Sequence, residues 1–327
     1  MEQIQPDSQY FDFIEHHIAV VVPSYQVADR VARVIESVPN YIRSIIAVND
    51  FSSDDTGRIL DKLAETEPRL LVIHHESNRG VGAATISGYS QALELGAELV
   101  IKMDGDGQMD PSHFPSLITP ILSGEADYTK GNRFHNWRFA SSMPFIRKFG
   151  NLGLSLLIKV ASGYWSIFDP TNGFTAISSQ TFREINHGAL KKRYLFETSM
   201  LIELYDLPAV IHQFPMDAVY DDAPSSLSIL DSLFRFPPYL VKSFIRRFVR
   251  KYIFQDFGAV TIFVFGGIFS LLFGVIFGTY HWLQSIVSGA PATAGTVLIS
   301  AVPTILGFQL LLQALVLDIQ NDPGGSR

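Results

Sequence analysis

The sequence predicts an α/β fold, a mostly parallel sheet with helices on both faces, followed by amphipathic interface helices and a two-helix transmembrane hairpin. Three observations carry this. Short apolar runs alternate with helical spacing from Ile18 to Asp104, a basic and aromatic stretch follows near Arg235, and two long uncharged segments close the chain. Strands alternating with helices at that spacing build parallel sheets covered on both sides.

The elements follow in order. "IAVVVP" (Ile18–Pro23) is a short apolar run stopped by proline and reads as a buried strand. Val27 to Val38 has helical spacing, and "IIAVND" (Ile45–Asp50) is a second strand. Asp54 or Asp55 caps a helix continuing to about Glu65. "LLVIHH" (Leu70–His75) is a third strand, Gly80 to Leu95 a small-residue-rich helix, and "ELVIKMD" (Glu98–Asp104) a fourth strand. From Tyr128 to about Tyr220 the pattern is less regular, with turn-rich "FDPTNGF" (Phe168–Phe174) and helical "RYLFETSMLIELY" (Arg193–Tyr205).

Phe257–Leu283 contains no charge apart from a neutral-range His281, and Thr293–Leu317 contains none. Each exceeds the roughly 20 residues that cross a bilayer core. Just before them, Arg246, Arg247, Arg250 and Lys251 mark the cytoplasmic side, and the interleaved aromatics suit a helix lying among headgroups. The expected organisation is a catalytic-looking domain at 1–228, amphipathic juxtamembrane helices at 229–256, spans at 257–283 and 293–317, and a cytoplasmic tail at 318–327. The acidic N-terminus lacks a signal-peptide core, so the first domain is expected on the cytoplasmic face. Gly266, Gly267, Ser270, Gly274 and Gly278 form a small-residue stripe on the first span, which points to bundling into a homo-oligomer.

Composition narrows the chemistry. Net charge is −7, which argues against nucleic acid as a partner, and the absence of cysteine removes disulfides, thiolate metal sites and thiol nucleophiles. His74–His75 and His16–His17 lack the spacing to meet on a metal and read as structural. Trp137 and Trp165 suit packing or an interface.

In open α/β sheets ligands bind beyond the carboxyl ends of the strands. Pro23, Asp50, the "SNRG" loop and Asp104 all fall there. Asp104 and Asp106 are separated by one glycine, and paired carboxylates repel unless a positive charge sits between them. An aspartate–glycine surface turn is the bland alternative. A calcium loop of the EF-hand kind fails, because it needs a glycine at Met109 and a glutamate at Pro115. Mg2+ or Mn2+, holding one or two carboxylates and filling its other positions from phosphate and water, fits the pair.

"VVVPSY", "VNDFSSDDT", "SNRGVGAA", "MDGDGQMDP", "GNRF" and "DPTNGF" occur in that order. Together, over about Ile18 to Lys251, they resemble the inverting glycosyltransferases of family 2, and more narrowly the polyprenyl-phosphate sugar synthases that include dolichol-phosphate mannose synthases and bactoprenol glucosyltransferases. The resemblance implies a Rossmann-like nucleotide-sugar domain of GT-A type, with Pro23, Tyr25 and Asp50 holding the nucleoside. It implies Asp104, Asp106 and Gln108 at the metal, and Arg133 and Arg147 on phosphates. Asp169 would stand near the sugar, positioning acceptor or sugar as much as taking a proton, since a lipid phosphate is already anionic. Ser225 and Ser226 are further candidate donors to the acceptor phosphate, and Glu197 a second candidate carboxylate.

The chain departs from the family pattern at Gln26–Val27, Asn49, Val219 and Asp221. The resemblance implies hexose transfer from a nucleotide-diphosphate sugar, UDP-glucose first and GDP-mannose next, to undecaprenyl or dolichyl phosphate. Two alternatives remain: a polysaccharide or other lipid acceptor, and a membrane scaffold that binds nucleotide sugars without turnover. The Gln-x-x-Arg-Trp motif of processive synthases is missing.

Overall fold

A computed structural model describes residues 13–135, 145–216 and 229–324, without the side chains of 135, 145–152 and 229–235. The chain divides into two units, 1–241 with 323–327, and 242–322.

In the first unit the elements run β1 (Ile18–Ser24), α1 (Val31–Glu36), β2 (Ser44–Asn49), α2 (Thr56–Ala64), β3 (Leu70–His74), α3 (Val81–Glu94) and β4 (Leu99–Lys102). They continue with α4 (Phe114–Leu122), β5 (Tyr128–Asn132), α5 (Phe145–Ser162), β6 (Thr175–Ser178), α6 (Ser179–Glu184), α7 (Phe196–Asp206) and β7 (Ile211–Pro215). The described strands form one sheet in the order β3-β2-β1-β4-β6-β5-β7. β6 alone among them runs antiparallel, against both β4 and β5. The carboxyl ends of the other strands therefore share one rim, and the turn entering β6 joins them there.

Successive strand residues point to opposite faces, and β1 shows the result. Ala19 and Val21 join one core with residues of α3, α5, α6 and α7, while Ile18, Val20 and Val22 join another with α1, α2 and α4. The small residues of α3 have a packing reason: a Cβ on Gly88 would run into the Val21 side chain. α3 lies that close to β1.

The helix expected from Val27 begins only at Val31. Val27 N–H donates to Thr56 Oγ1 at 2.9 Å and Ala28 N–H to Asp54 Oδ2 at 3.2 Å, so the β2–α2 loop takes donors that a longer helix would have left open at its start. Asp55 is the N-cap residue of α2 but makes no side-chain capping bond, whereas Asp54 accepts from Thr56 N–H at 3.1 Å. The irregular stretch after Tyr128 contains β5, β6 and β7, each too short and too polar at its ends for alternation to reveal it.

The second unit takes in the end of α8 (Ile229–Phe248), a π-helical segment at Val249–Gln255, α9 (Ala259–Ser288) and α10 (Ala294–Gln320). α9 and α10 are long and apolar enough to cross a membrane by length and composition. They pack antiparallel through the small-residue stripe. A Cβ on Gly267 would lie 2.9 Å from Leu311 Cγ and 3.0 Å from Gly307 O, and one on Gly274 2.6 Å from Ser300 O. A Cβ on Gly278 would collide with Ser300. Gly267, Gly274 and Gly278 of the stripe thus face the other helix of the hairpin, whereas the atom nearest a Cβ on Gly266 is Leu310 Cδ1 at 3.7 Å. Arg247 grips Asp318 with both terminal nitrogens, at 2.7 and 2.9 Å, and Tyr252 donates to the same carboxylate at 2.5 Å. Asp318, expected to open the tail, lies inside α10 and is buried.

Candidate active site

The rim is knit together from backbone outward. Asp50 N–H donates to Ser24 O at 2.9 Å and Gly105 N–H to Pro23 O at 3.2 Å, tying the ends of β1, β2 and β4. A Cβ on Gly105 would sit 3.0 Å from Ser24 Oγ, so the Asp104–Asp106 loop approaches β1 as closely as glycine allows. Gly107 turns the chain at φ +74°, and Asp106 Oδ1 accepts from Gln108 N–H at 3.1 Å. Asp104 N–H is directed at Met109 Sδ.

Just past the ends of β1 and β2, Tyr25 is exposed on the rim, and so is Phe51. Gln26 and Phe51 both hold positive φ, +54° and +60°, which is strained for residues with side chains and gathers at functional sites. Ser52 Oγ accepts from Gln26 N–H at 3.1 Å and so supports the bend.

Asp50 turns inward instead. It is 2% exposed and accepts from His75 Nδ1 at 2.7 Å, Arg79 N–H at 2.9 Å and Gly80 N–H at 2.6 Å. His75 is fixed in turn by Ser87 Oγ at 3.0 Å. Asp50 thereby shapes the "SNRG" loop, where Gly80 at φ +94° packs against the Lys192 carbonyl too tightly for a side chain. His74 bonds Asn49 and Asp61, and His16 bonds Glu98, all structural contacts.

Arg133 follows β5, and Asp169 lies in the turn before β6. Arg133 Nε donates to Asp169 Oδ2 at 2.7 Å, its Nη2 to Oδ1 at 3.0 Å, and its backbone N–H to Oδ2 at 3.2 Å. Asp169 is wholly buried, and the arginine side chain keeps 31% exposure. The turn is held by Asn172, which donates to Gly131 O at 2.8 Å and accepts from Phe174 N–H at 2.9 Å. Arg147 lies in α5 with its side chain outside the described residues, and Ser225, Ser226 and Trp137 also fall outside them.

Two lysines escaped the sequence reading. Lys102 ends β4 and Lys130 lies in β5, and both pair with Thr175 of β6, so they occupy one row across the sheet. Lys102 Nζ donates to Asp104 Oδ1 at 2.6 Å and stands 3.4 Å from Glu197 Oε1. Burial pulls its pKa down, but Asp104 and Glu197 outweigh that and hold it above the ordinary lysine value. Lys130 Nζ is buried with no hydrogen-bond partner among the described residues, and burial lowers its pKa to about 8. The available signal was a charged residue inside an otherwise apolar strand end, "LVIK", and one in the buried strand "YTKGN".

Burial, and then the Asp104 charge, push the Asp106 carboxyl above the usual aspartate range. Among the described residues no three His, Cys, Asp or Glu gather into a closed metal site. Two carboxylates and an amide oxygen suit a hard cation that completes its shell from phosphate and water. The residues fit Mg2+ or Mn2+.

The rim thus brings together an aspartate pair, exposed aromatics and a carboxylate-braced arginine. Residues 19–194 match the family model described as "Glycosyl transferase family 2", and the chain belongs to that family and is a glycosyltransferase. It is 30% identical to the UDP-N-acetylglucosamine–dolichyl-phosphate N-acetylglucosaminyltransferase of Methanococcus voltae over 63% of this chain and 86% of that protein. It is 26% identical to the undecaprenyl-phosphate mannosyltransferase of Micrococcus luteus over 62% and 83% of the respective chains. Its fold matches crystalline glucosyl-3-phosphoglycerate synthase of Mycobacterium tuberculosis, solved with Mn2+, UDP-glucose and phosphoglyceric acid. The TM-score is 0.54 and the identity 18%, over 74% of this chain and 85% of that one.

Proposed function

We propose that the protein transfers a hexose from a nucleotide-diphosphate sugar to a polyprenyl phosphate, with inversion at the anomeric carbon. The observation that carries the reading is the meeting, on one rim, of the Asp104–Asp106 loop and the Asp169-braced Arg133. The sugar C1–O bond to the β-phosphate breaks, and a phosphate oxygen of the acceptor forms the new bond. The nucleoside diphosphate leaves.

Pro23 and Tyr25 hold the nucleoside, and Asp50 orders the loop beside it. Asp104, Asp106 and Gln108 are the residues that would hold Mg2+ or Mn2+, and a divalent cation there would supply positive charge toward a diphosphate leaving group. Arg133 meets the acceptor phosphate, and Arg147, Ser225 and Ser226 are further candidates for that phosphate on the family resemblance alone. Asp169 keeps the Arg133 fork aimed. An acceptor already anionic at neutral pH needs little deprotonation, so a carboxylate spent on an arginine is no handicap.

α9 and α10 anchor the chain as a membrane hairpin, in the bacterial inner membrane or its equivalent, with the catalytic unit on the cytoplasmic side. The named acceptors of the two relatives are membrane lipids, which supports the anchor. UDP-glucose is the first donor to test, then GDP-mannose, with UDP-N-acetylglucosamine added because of the archaeal relative.

The test incubates detergent-purified full chain with polyprenyl phosphate, Mn2+ or Mg2+ and each radiolabelled donor, and counts sugar extracted into organic solvent. One donor should transfer, and Asp106→Ala should abolish it. A folded protein that transfers none of them would overturn the reading.

A further inference from the structure

Three charged groups from three elements converge over Gly173. A Cβ there would lie 2.5 Å from Lys102 Nζ, 3.0 Å from Asp104 Oδ2 and 3.3 Å from Glu197 Oε1. Lys102 comes from the end of β4, Asp104 from the loop after it, and Glu197 from the first turn of α7. The lysine side chain is 1% exposed and cannot turn to water. Its acceptors are Asp104 Oδ1 at 2.6 Å and Gly173 O at 3.3 Å, with Glu197 Oε1 next at 3.4 Å. An ammonium has three donors, and a buried one needs an acceptor for each.

A divalent cation at Asp104 would compete with Lys102 for one carboxylate. Two like charges on one anion repel, and a buried ammonium that loses its anion is costly. Glu197 is the other carboxylate within ion-pairing distance of Lys102 among the described residues. We propose that Glu197 is a positioning residue for the cation site: it takes the Lys102 ammonium as Asp104 is given over to the divalent metal. This rests on reading Asp104 as a cation ligand. The assignment is distinct from a second base at the sugar, because Glu197 acts through Lys102.

The experiment measures the Mn2+ dissociation constant by electron paramagnetic resonance on the full chain in detergent, without donor or acceptor. Glu197→Gln keeps the volume and removes the charge, and is expected to weaken Mn2+ about tenfold. Glu197→Asp, with its charge on a shorter arm, should recover part of that. In a Lys102→Met background the same Glu197→Gln change should alter the constant less than about twofold, because no ammonium needs rehousing. Thermal midpoints establish that each variant is folded. Lys102→Gln replaces the methionine variant if that one does not fold.

Equal weakening in both backgrounds would mean that Glu197 attracts the cation directly and would overturn the proposal. So would Mn2+ binding indifferent to Glu197→Gln in the unaltered background. Mn2+ binding that Asp104→Asn and Asp106→Asn leave unchanged would instead remove the cation site itself, and the proposal with it.

Discussion

Arg133 and Asp169 form a bidentate pair, Nε to Oδ2 at 2.7 Å and Nη2 to Oδ1 at 3.0 Å, with the carboxylate wholly buried. A third bond from the Arg133 backbone fills the same carboxylate. An aspartate so engaged is an orienting group for the arginine. Asp169→Asn should therefore lower kcat by about a hundredfold and cost about 3 kcal/mol of stability, the scale for breaking a buried pair. Arg133→Lys should not substitute, because an ammonium lacks the fork. Steady-state transfer assays with denaturant titration check both. An Asp169→Asn enzyme at near-normal kcat would refute the orienting role.

Asp50 faces the protein, where it collects His75 and two backbone N–H groups. Asp50→Asn should disturb the Arg79–Gly80 loop more than the chemistry. The expected result is a donor KM raised about tenfold with kcat within about threefold, since the loss is one of binding that ground and transition states share. A fall in kcat with unaltered KM would contradict it.

Lys130 gives a pH prediction. Its pKa falls from 10.5 to about 8 because burial disfavours the ammonium. Below pH 8 both native and unfolded chains bind the proton, and the native state carries the full cost, about 3 kcal/mol at 1.36 kcal/mol per unit. Between about pH 8 and 10.5 the unfolded chain holds more protons, so this group's contribution makes stability rise with pH. Lys130→Met should stabilise the protein at pH 7 by about 2–3 kcal/mol and flatten that rise. Denaturant curves at pH 7, 9 and 10.5 measure both, and an unchanged slope would count against it.

The hairpin seam is equally specific. A side chain at Gly274 would meet Ser300 O at 2.6 Å and Thr304 N at 2.8 Å, both backbone atoms that cannot swing aside. Gly274→Val should push α9 from α10 and lower the thermal midpoint in mild detergent. Gly266→Val, at a position whose near neighbour is Leu310 Cδ1 at 3.7 Å, should be close to neutral. Equal effects at the two positions would argue against the seam.

The β-α alternation through Asp104, the two apolar helices and the aspartate loop were legible in the chain, because each is a local pattern. Short apolar runs, long uncharged runs and residues one or two apart need no partner from elsewhere to be seen. The bonding of Arg133 to Asp169 was not, nor the row of Lys102 and Lys130 about Thr175. Residues 36 apart in the first case meet only because β6 runs backward between β4 and β5.

Direction was hidden as well. Position places Asp50 at a strand end, but packing around His75 turns its carboxylate inward. Spacing identifies the glycine stripe, but only the facing helix decides what fills it. Local pattern in the chain marks the strand ends through Asp104 and two helices that suit a membrane. The tertiary structure decided which charge each rim residue answers to, because a buried charge must find its partner wherever the fold places one.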